Sequence, residues 1–294
     1  MSYHYKITVF TPTYNRAYII ENLYKSLCRQ TYRNFEWLVV DDGSADNTEE
    51  LFAKWTAEVD FSIRYYKKEN GGKHTAINMG LELAQGELFF TVDSDDWLTD
   101  DALEKVAKWE SELPKDGNFC GFAGRLQNTA GQLSGTDHES EFFDGTTMDR
   151  YGKASGERAM VFYTEIHKKY SYPVFKGERF ITEAVTWNRM ARDGYKFRYY
   201  NDVIWIYEYQ PDGLTGMGPS LYQKNPMGYG LWIREKSDIF GERGKRRFMT
   251  WYSYCCEMKQ WYTPSEMARS LGISTAYVQL ILLLHRIKNI GRKS

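Results

Sequence analysis

The chain has 294 residues, 42% of them hydrophobic, and sets 38 Lys and Arg against 39 Asp and Glu for a formal net charge of -1. That length allows one large domain or two modest ones with a sizeable core, and the charge balance argues against a protein that holds nucleic acid by bulk electrostatics. Aromatic residues reach 16%, and such amphipathic rings suit stacking on sugars or bases as well as core packing.

Cys28, Cys120, Cys255 and Cys256 show no C-x-x-C spacing and read as reduced thiols of a cytoplasmic protein. No apolar run approaches the roughly 20 residues of a membrane-spanning helix. The opening Met-Ser-Tyr-His-Tyr-Lys leads straight into a strand pattern, so no signal peptide is expected.

In chain order, residues 5–11 form a β-branched and aromatic run closed by Pro12, the pattern of a buried strand. Ile20, Leu23 and Leu27 at helical spacing predict a helix over 17–30, and Phe35 to Val40 predicts a second strand, stopped by Asp41-Asp42-Gly43-Ser44. Asp46 with Glu49 resembles a capping box opening a helix from Thr48 to Ala57. Phe61 to Tyr66 reads as a third strand, and Gly71-Gly72 separates it from a helix with Ala76, Met79, Gly80 and Leu83 on one face. Leu88 to Val92 is a fourth strand, delivering Asp93, Ser94, Asp95 and Asp96 at its end. Such strand–helix alternation builds a parallel sheet whose ligands gather at the carboxyl ends of the strands. Three carboxylates in four residues raise one another's pKa. A hard cation, Mg²⁺ or Mn²⁺, would relieve that cost and leave positions for phosphates.

A helix is predicted from Thr99 to Leu113, with Asp100 and Asp101 in its first turn, and past Pro114 the alternation stops. Residues 118–150 are polar, with strand-like pieces at Phe119 to Leu126 and Glu141 to Thr146, the character of a substrate loop or lid. Ala159 to Lys168 reads as a strand, Ile181 to Arg192 as a helix and Phe197 to Tyr209 as a β-rich run. From about residue 217 the pattern is helical, and 240–294 holds ten Lys and Arg against three Asp and Glu. Thr263-Pro264-Ser265-Glu266 marks a helix start with Pro at its first position, and 265–278 has helix-turn-helix spacing. A helical hairpin, a basic face on an anionic membrane and a DNA reader are the three readings of that end.

Taken together, Pro12-Thr13-Tyr14-Asn15-Arg16, Gln30-Thr31 before Phe35-Glu36, Val40-Asp41-Asp42-Gly43-Ser44, Asn70-Gly71-Gly72-Lys73 with Asn78, and Asp93-Ser94-Asp95-Asp96 resemble glycosyltransferase family 2, the inverting enzymes of the glycosyltransferase-A fold. The resemblance covers roughly residues 5–215. It implies an α/β fold, a Rossmann-like, mostly parallel sheet flanked by helices, with a C-terminal helical extension. It divides the chain into a catalytic domain, 1–215, with a nucleotide-sugar half (1–113) and an acceptor half (114–215), and a basic helical region, 216–294.

The implied activity is metal-dependent transfer of a sugar, with inversion, from a nucleotide-sugar, UDP-linked by expectation. The acceptor would be a saccharide or lipid-linked molecule of cell-surface polysaccharide synthesis. The resemblance gives Pro12, Thr13, Tyr14 and Asp42 to the nucleoside, and Arg16, Lys73, Asn78 and Ser94 to the rest of the donor. It gives Asp95 to Mn²⁺ or Mg²⁺, Asp93 to the metal or the ribose, and leaves Asp96 as a neighbouring acceptor or helix-start residue. His74 beside Lys73 could touch phosphate. Relatives that draw a third metal ligand from a His after the last strand differ from this chain, which has Tyr207-Glu208-Tyr209 there. The base is expected at Glu183, with Glu178 second, and Trp187 one turn on could stack on the acceptor sugar. A cytoplasmic enzyme at the inner face of the membrane fits this reading. The alternatives are a sugar-phosphate nucleotidyltransferase, whose glycine-rich basic loop after the first strand is missing here, and nucleic-acid or partner binding through 263–294.

Overall fold

Strand β1 (Tyr5–Thr13) lies inside a nine-stranded mixed sheet, third from one edge, and buries side chains on both its faces. Ile7 and Val9 face one layer of core, while Phe10 stacks on Phe89 across the other face with ring centroids 5.0 Å apart. The computed structural model describes residues 3–115, 117–150 and 153–290. Two compact units are present, Met1–Ser171 with Arg189–Pro211, and Tyr172–Asn188 with Asp212–Ser294.

The first unit follows α1 (Glu21–Cys28), β2 (Phe35–Asp41), α2 (Thr48–Thr56), β3 (Ser62–Lys67), α3 (Lys73–Leu83) and β4 (Gly86–Thr91). It continues through β5 (Trp97–Leu98), α4 (Ala102–Glu112), β6 (Phe119–Asn128), β7 (Phe142–Gly145), β8 (Ala159–Tyr163) and α5 (Thr164–His167). Helix α6 (Ala184–Arg192) crosses the boundary between the units, and β9 (Lys196–Tyr207) completes the sheet. The strand order is β3-β2-β1-β4-β8-β6-β9-β5, with β7 on β9. β1 to β4 run parallel, β8 is antiparallel to both β4 and β6, and β6 is parallel to β9. A parallel block carries its loops to one end, so the segments after β1, β2, β3 and β4 share a rim.

Several boundaries differ from the sequence expectation. The helix foreseen over 17–30 is α1 alone, preceded by a turn whose backbone closes from Ile20 to Arg16. The strand foreseen from Ala159 to Lys168 ends at Tyr163 and becomes α5, since Thr164 turns its hydroxyl to the carbonyl of Gly86. Asp46 and Glu49 form no capping box. Asp46 bonds Thr48 and the Ala17 amide, and Glu49 pairs with Lys67. The helix expected from Thr99 begins at Ala102, and Asp100 is drawn to Arg29 instead.

Two motif residues prove to be scaffold. Glu36 is fully buried, accepts from the Thr8 hydroxyl and the Gln85 amide, and pairs with Arg64 at 2.8 Å. Gln30 joins the end of α1 to the start of α4 through the Thr99 carbonyl and the Leu103 amide.

The second unit, beyond a 3-10 turn at Leu214–Met217, contains α7 (Pro219–Gln223), α8 (Pro226–Ile239), α9 (Gly244–Met258), α10 (Pro264–Leu271) and α11 (Thr275–Ile290). Its core gathers Tyr254, Cys255, Met258, Met267, Leu271, Val278 and Ile281. The Thr263 start has a full capping box with Glu266, and Gly272 ends α10 at φ 68, a left-handed position that glycine fills without strain. The last four residues of the basic end, 291–294, lie outside the described residues. Among the described residues no single helix is long and apolar enough to cross a membrane.

Candidate active site

The rim of the parallel block is laced together by its own polar residues. Asn15, at φ 52, donates its backbone N–H to Ser44 Oγ and accepts from the Ala45 amide, and the Asp42 amide bonds the Thr13 carbonyl at 2.8 Å. Asp42 itself is buried. One carboxylate oxygen accepts from the Gly71 amide at 2.9 Å and from Lys68 Nζ at 2.6 Å, and the other accepts from the Gly72 amide at 2.7 Å. Sequence reading missed Lys68, whose only signal was a second Lys five residues before Lys73. Pro12 is a β1 residue opposite Val40, and Thr13 is buried, whereas the Tyr14 ring stands 47% exposed beside them.

Gly72, at φ 92, turns the chain into α3, so Lys73 begins that helix. The helix can approach β1 closely because Gly80 has no side chain, and a Cβ there would lie 2.2 Å from the Phe10 ring. Lys73 reaches the strand end across the rim, with Nζ 2.7 Å from one oxygen of Asp93 and 3.0 Å from the other. Asn78 lies further along α3 and is half-buried. His74 points the other way into the core. Burial pushes its pKa down to about 4, so it is a neutral imidazole at pH 7 and not the phosphate-facing cation the sequence allowed.

After β4 the backbone turns, Asp96 N–H to Asp93 C=O, and gathers Asp93, Asp95 and Asp96 so that one oxygen from each lies within 4.8 Å of the others. Ser94 between them is buried. Burial raises the Asp95 pKa, with Asp93 adding to the shift and Arg16 and Lys73 opposing it. Burial likewise pushes Asp96 up to about 8, reinforced by the two neighbouring acids. The Asp96 carboxylate is held from behind by Trp205 Nε1 of β9 at 2.9 Å and by the amide of Glu208, just past the end of that strand, at 3.3 Å. Asp96 therefore belongs to the cluster rather than to the following helix, and the Trp205 partner could not be read from spacing 109 residues apart. Hard divalent cations hold oxygens at about 2.0–2.6 Å, which spreads ligand oxygens over roughly 3–5 Å. The triad fits that requirement.

The two base candidates lie in the second unit. Glu178 is half-buried and binds the open end of α8, one oxygen accepting the Met227 amide at 2.7 Å and the other the Gly228 amide at 2.9 Å. That is a helix-terminus role, favoured by the dipole. Glu183 precedes α6 directly and is half-buried, and its carbonyl accepts the Thr186 amide. Trp187 follows within α6, also half-buried.

The sequence model of glycosyl transferase family 2 matches residues 8–170. The glycosyltransferase GlyA of Streptococcus pneumoniae is 39% identical over 120 residues, 40% of this chain and 17% of GlyA. TarS of Staphylococcus aureus, a poly(ribitol-phosphate) beta-N-acetylglucosaminyltransferase, is 33% identical over 113 residues, 38% of this chain and 20% of TarS. The chain thus spans only a small part of these relatives. A TarS fragment in complex with UDP-GlcNAc superposes with a TM-score of 0.62 at 14% identity, covering 96% of this chain and 92% of that one. The mannosyltransferase PcManGT of Pyrobaculum calidifontis, in complex with GDP-Man and Mn²⁺, gives 0.57 at 18% identity over 100% of this chain and 89% of that one. At such identities the structural likeness is one of fold, and the fold is the glycosyltransferase-A type with added C-terminal helices.

Proposed function

The chain belongs to glycosyl transferase family 2, and within that family we propose that it moves a sugar, with inversion, from a UDP-linked donor to a saccharide or lipid-linked acceptor of a cell-surface polysaccharide. The observation that carries this reading is the Asp93, Asp95 and Asp96 triad with Lys73 paired to Asp93 at the strand ends. A nucleotide-sugar ligand in the TarS structure supports the UDP assignment, and the name of TarS supports the acceptor class.

In this proposal Tyr14 stacks on uracil, Thr13 and Pro12 shape the nucleoside pocket, and Asp42 fixes the 68–72 loop while keeping lone pairs for the base. Asp95 and Asp93 hold Mn²⁺ or Mg²⁺, which when bound stabilises charge on the diphosphate. Lys73 and Arg16 offer cationic donors to the phosphate oxygens. Glu183 accepts the proton of the acceptor hydroxyl as that oxygen attacks the anomeric carbon in line. The bond from that carbon to the diphosphate breaks, and the electron pair leaves with the nucleoside diphosphate.

A thermal-shift panel of UDP-glucose, UDP-galactose, UDP-GlcNAc and GDP-mannose, each with and without Mn²⁺, tests the reading, because a donor that binds the folded state stabilises it by mass action. A UDP-sugar is expected to raise Tm, and more so with Mn²⁺. No shift with any nucleotide-sugar, or pyrophosphate released from a nucleoside triphosphate and a sugar phosphate, would overturn it.

A further inference from the structure

Helix α11 is apolar on two faces, and the core of its unit uses only one. Val278 and Ile281 are buried, with Tyr277 and Leu282 packed beside them. On another side Leu280, Leu283, Leu284 and Ile287 are 47%, 53%, 41% and 58% exposed. With 3.6 residues per turn these four, with Ala276, fall within an arc of about 100°. The same wheel places Arg286 on one flank of the stripe and Lys288 on the other. Both are exposed, and Lys288 also lies 5.7 Å over the ring of Tyr252. No Asp or Glu occurs anywhere in Thr275–Ile290, and the sequence continues with Arg292 and Lys293.

A second copy of the chain seated on this stripe would bring two sets of these cations together around a two-fold axis with no acid on the helix to offset them. Four half-exposed side chains also offer far less than the roughly 800 Å² per partner of a stable interface. A DNA groove demands polar side chains on the presented face, and this face presents leucine. An anionic bilayer meets both features, since the acyl boundary takes the apolar stripe and flanking Arg and Lys reach the headgroups. We propose that the α11 face binds an anionic phospholipid surface, lying in the interface with Leu280, Leu283, Leu284 and Ile287 inserted and Arg286 and Lys288 on the headgroups.

Each basic residue at such a surface contributes about fivefold to partitioning. The test is flotation of the full chain with vesicles of phosphatidylcholine alone and of phosphatidylcholine with 30% phosphatidylglycerol. Binding is expected only to the anionic vesicles, weakened more than tenfold by the double variant Arg286→Gln with Lys288→Gln, and lost in Leu283→Asp with Ile287→Asp. Thermal melting of both variants should match the parent, because the altered side chains are exposed. Equal binding to neutral vesicles, binding retained by the Leu283→Asp, Ile287→Asp protein, or no binding by the parent would overturn the proposal. So would a dimer in light scattering that this double variant dissociates, which would give the stripe to a second copy.

Discussion

Replacing Asp95 with Asn should invert the order of stability between parent and variant when cation is added. Asp96, pushed up to about 8, is mostly protonated at pH 7, so the charged pair is Asp93 and Asp95, whose oxygens within 4.8 Å cost about 3 kcal/mol at an effective dielectric of 20. Lys73 and Arg16 return part of this, yet the Asp95 pKa is still raised, burial first, so its charge works against the fold. Asn keeps the shape and removes the charge. In EDTA at pH 7 the variant should be more stable by about 1–2 kcal/mol, some 2–6 °C in Tm for a chain of this size. With Mn²⁺ at a hundred times its Kd the parent gains about 2.7 kcal/mol. The variant, short of one ligand, should gain little. Differential scanning fluorimetry in EDTA and in Mn²⁺ with UDP reads both states. If Asp95→Asn melts below the parent in EDTA, the repulsion argument fails, and if it keeps the full Mn²⁺ shift, Asp95 is not a ligand.

Glu183→Gln should lower transfer at least a hundredfold while the donor-induced Tm shift persists, whereas Glu178→Gln should lose about 1–2 kcal/mol of stability by weakening the α8 terminus, with turnover per folded molecule retained; steady-state rates beside melting curves separate the two. Glu36→Gln leaves Arg64 short of its charged partner inside the sheet and should cost about 3 kcal/mol by urea unfolding, without altering donor KM. His167 is buried between Phe89 and Phe162, and burial pushes its pKa down to about 3. Its folded pKa lies below the ordinary 6.5, so the unfolded chain binds the extra proton and stability falls as pH drops from 6.5 toward 3, by about 2 kcal/mol at pH 5. His74, pushed down to about 4, loses stability over the same range, so His167→Phe should remove about half of the slope between pH 7 and pH 5 in urea titrations. An unchanged slope would place the acid sensitivity elsewhere.

The first 113 residues were the most legible because each strand there is a short apolar run ending in polar residues. Periodicity gave the order β1-α1-β2-α2-β3-α3-β4, and the family resemblance gave the fold. What the sequence hid was long-range. Trp205 reaches Asp96 from β9, and β8 enters antiparallel between β4 and β6, neither of which leaves a local trace. Ala159 to Lys168 reads as one strand because the apolar run of β8 passes directly into Thr164-Glu165-Ile166-His167, four residues that are too few to show a helical period. His74 and Lys73 are adjacent in sequence, but successive helix positions lie about 100° apart. One therefore faces the acids and the other the core.

Burial divides the motif residues into two kinds, and the division governs how any loss of activity should be interpreted. Asn15, Ser44, Asp42 and Glu36 make their hydrogen bonds to the protein itself. They fix where the loops after β1, β2 and β3 lie before any ligand arrives. Tyr14, Arg16, Lys73, Asp93 and Asp95 are left partly open on that frame. A frame residue can cost as much rate as a contact residue, since a misplacement of about 1 Å can cost a hundredfold. An inactive Asp42→Asn protein would therefore not make Asp42 a contact to the base. Replacing a charge that holds two backbone amides and Lys68 should lower Tm with or without donor, whereas a change confined to Tyr14, 47% exposed, should leave the unliganded Tm unchanged and reduce only the donor-induced shift.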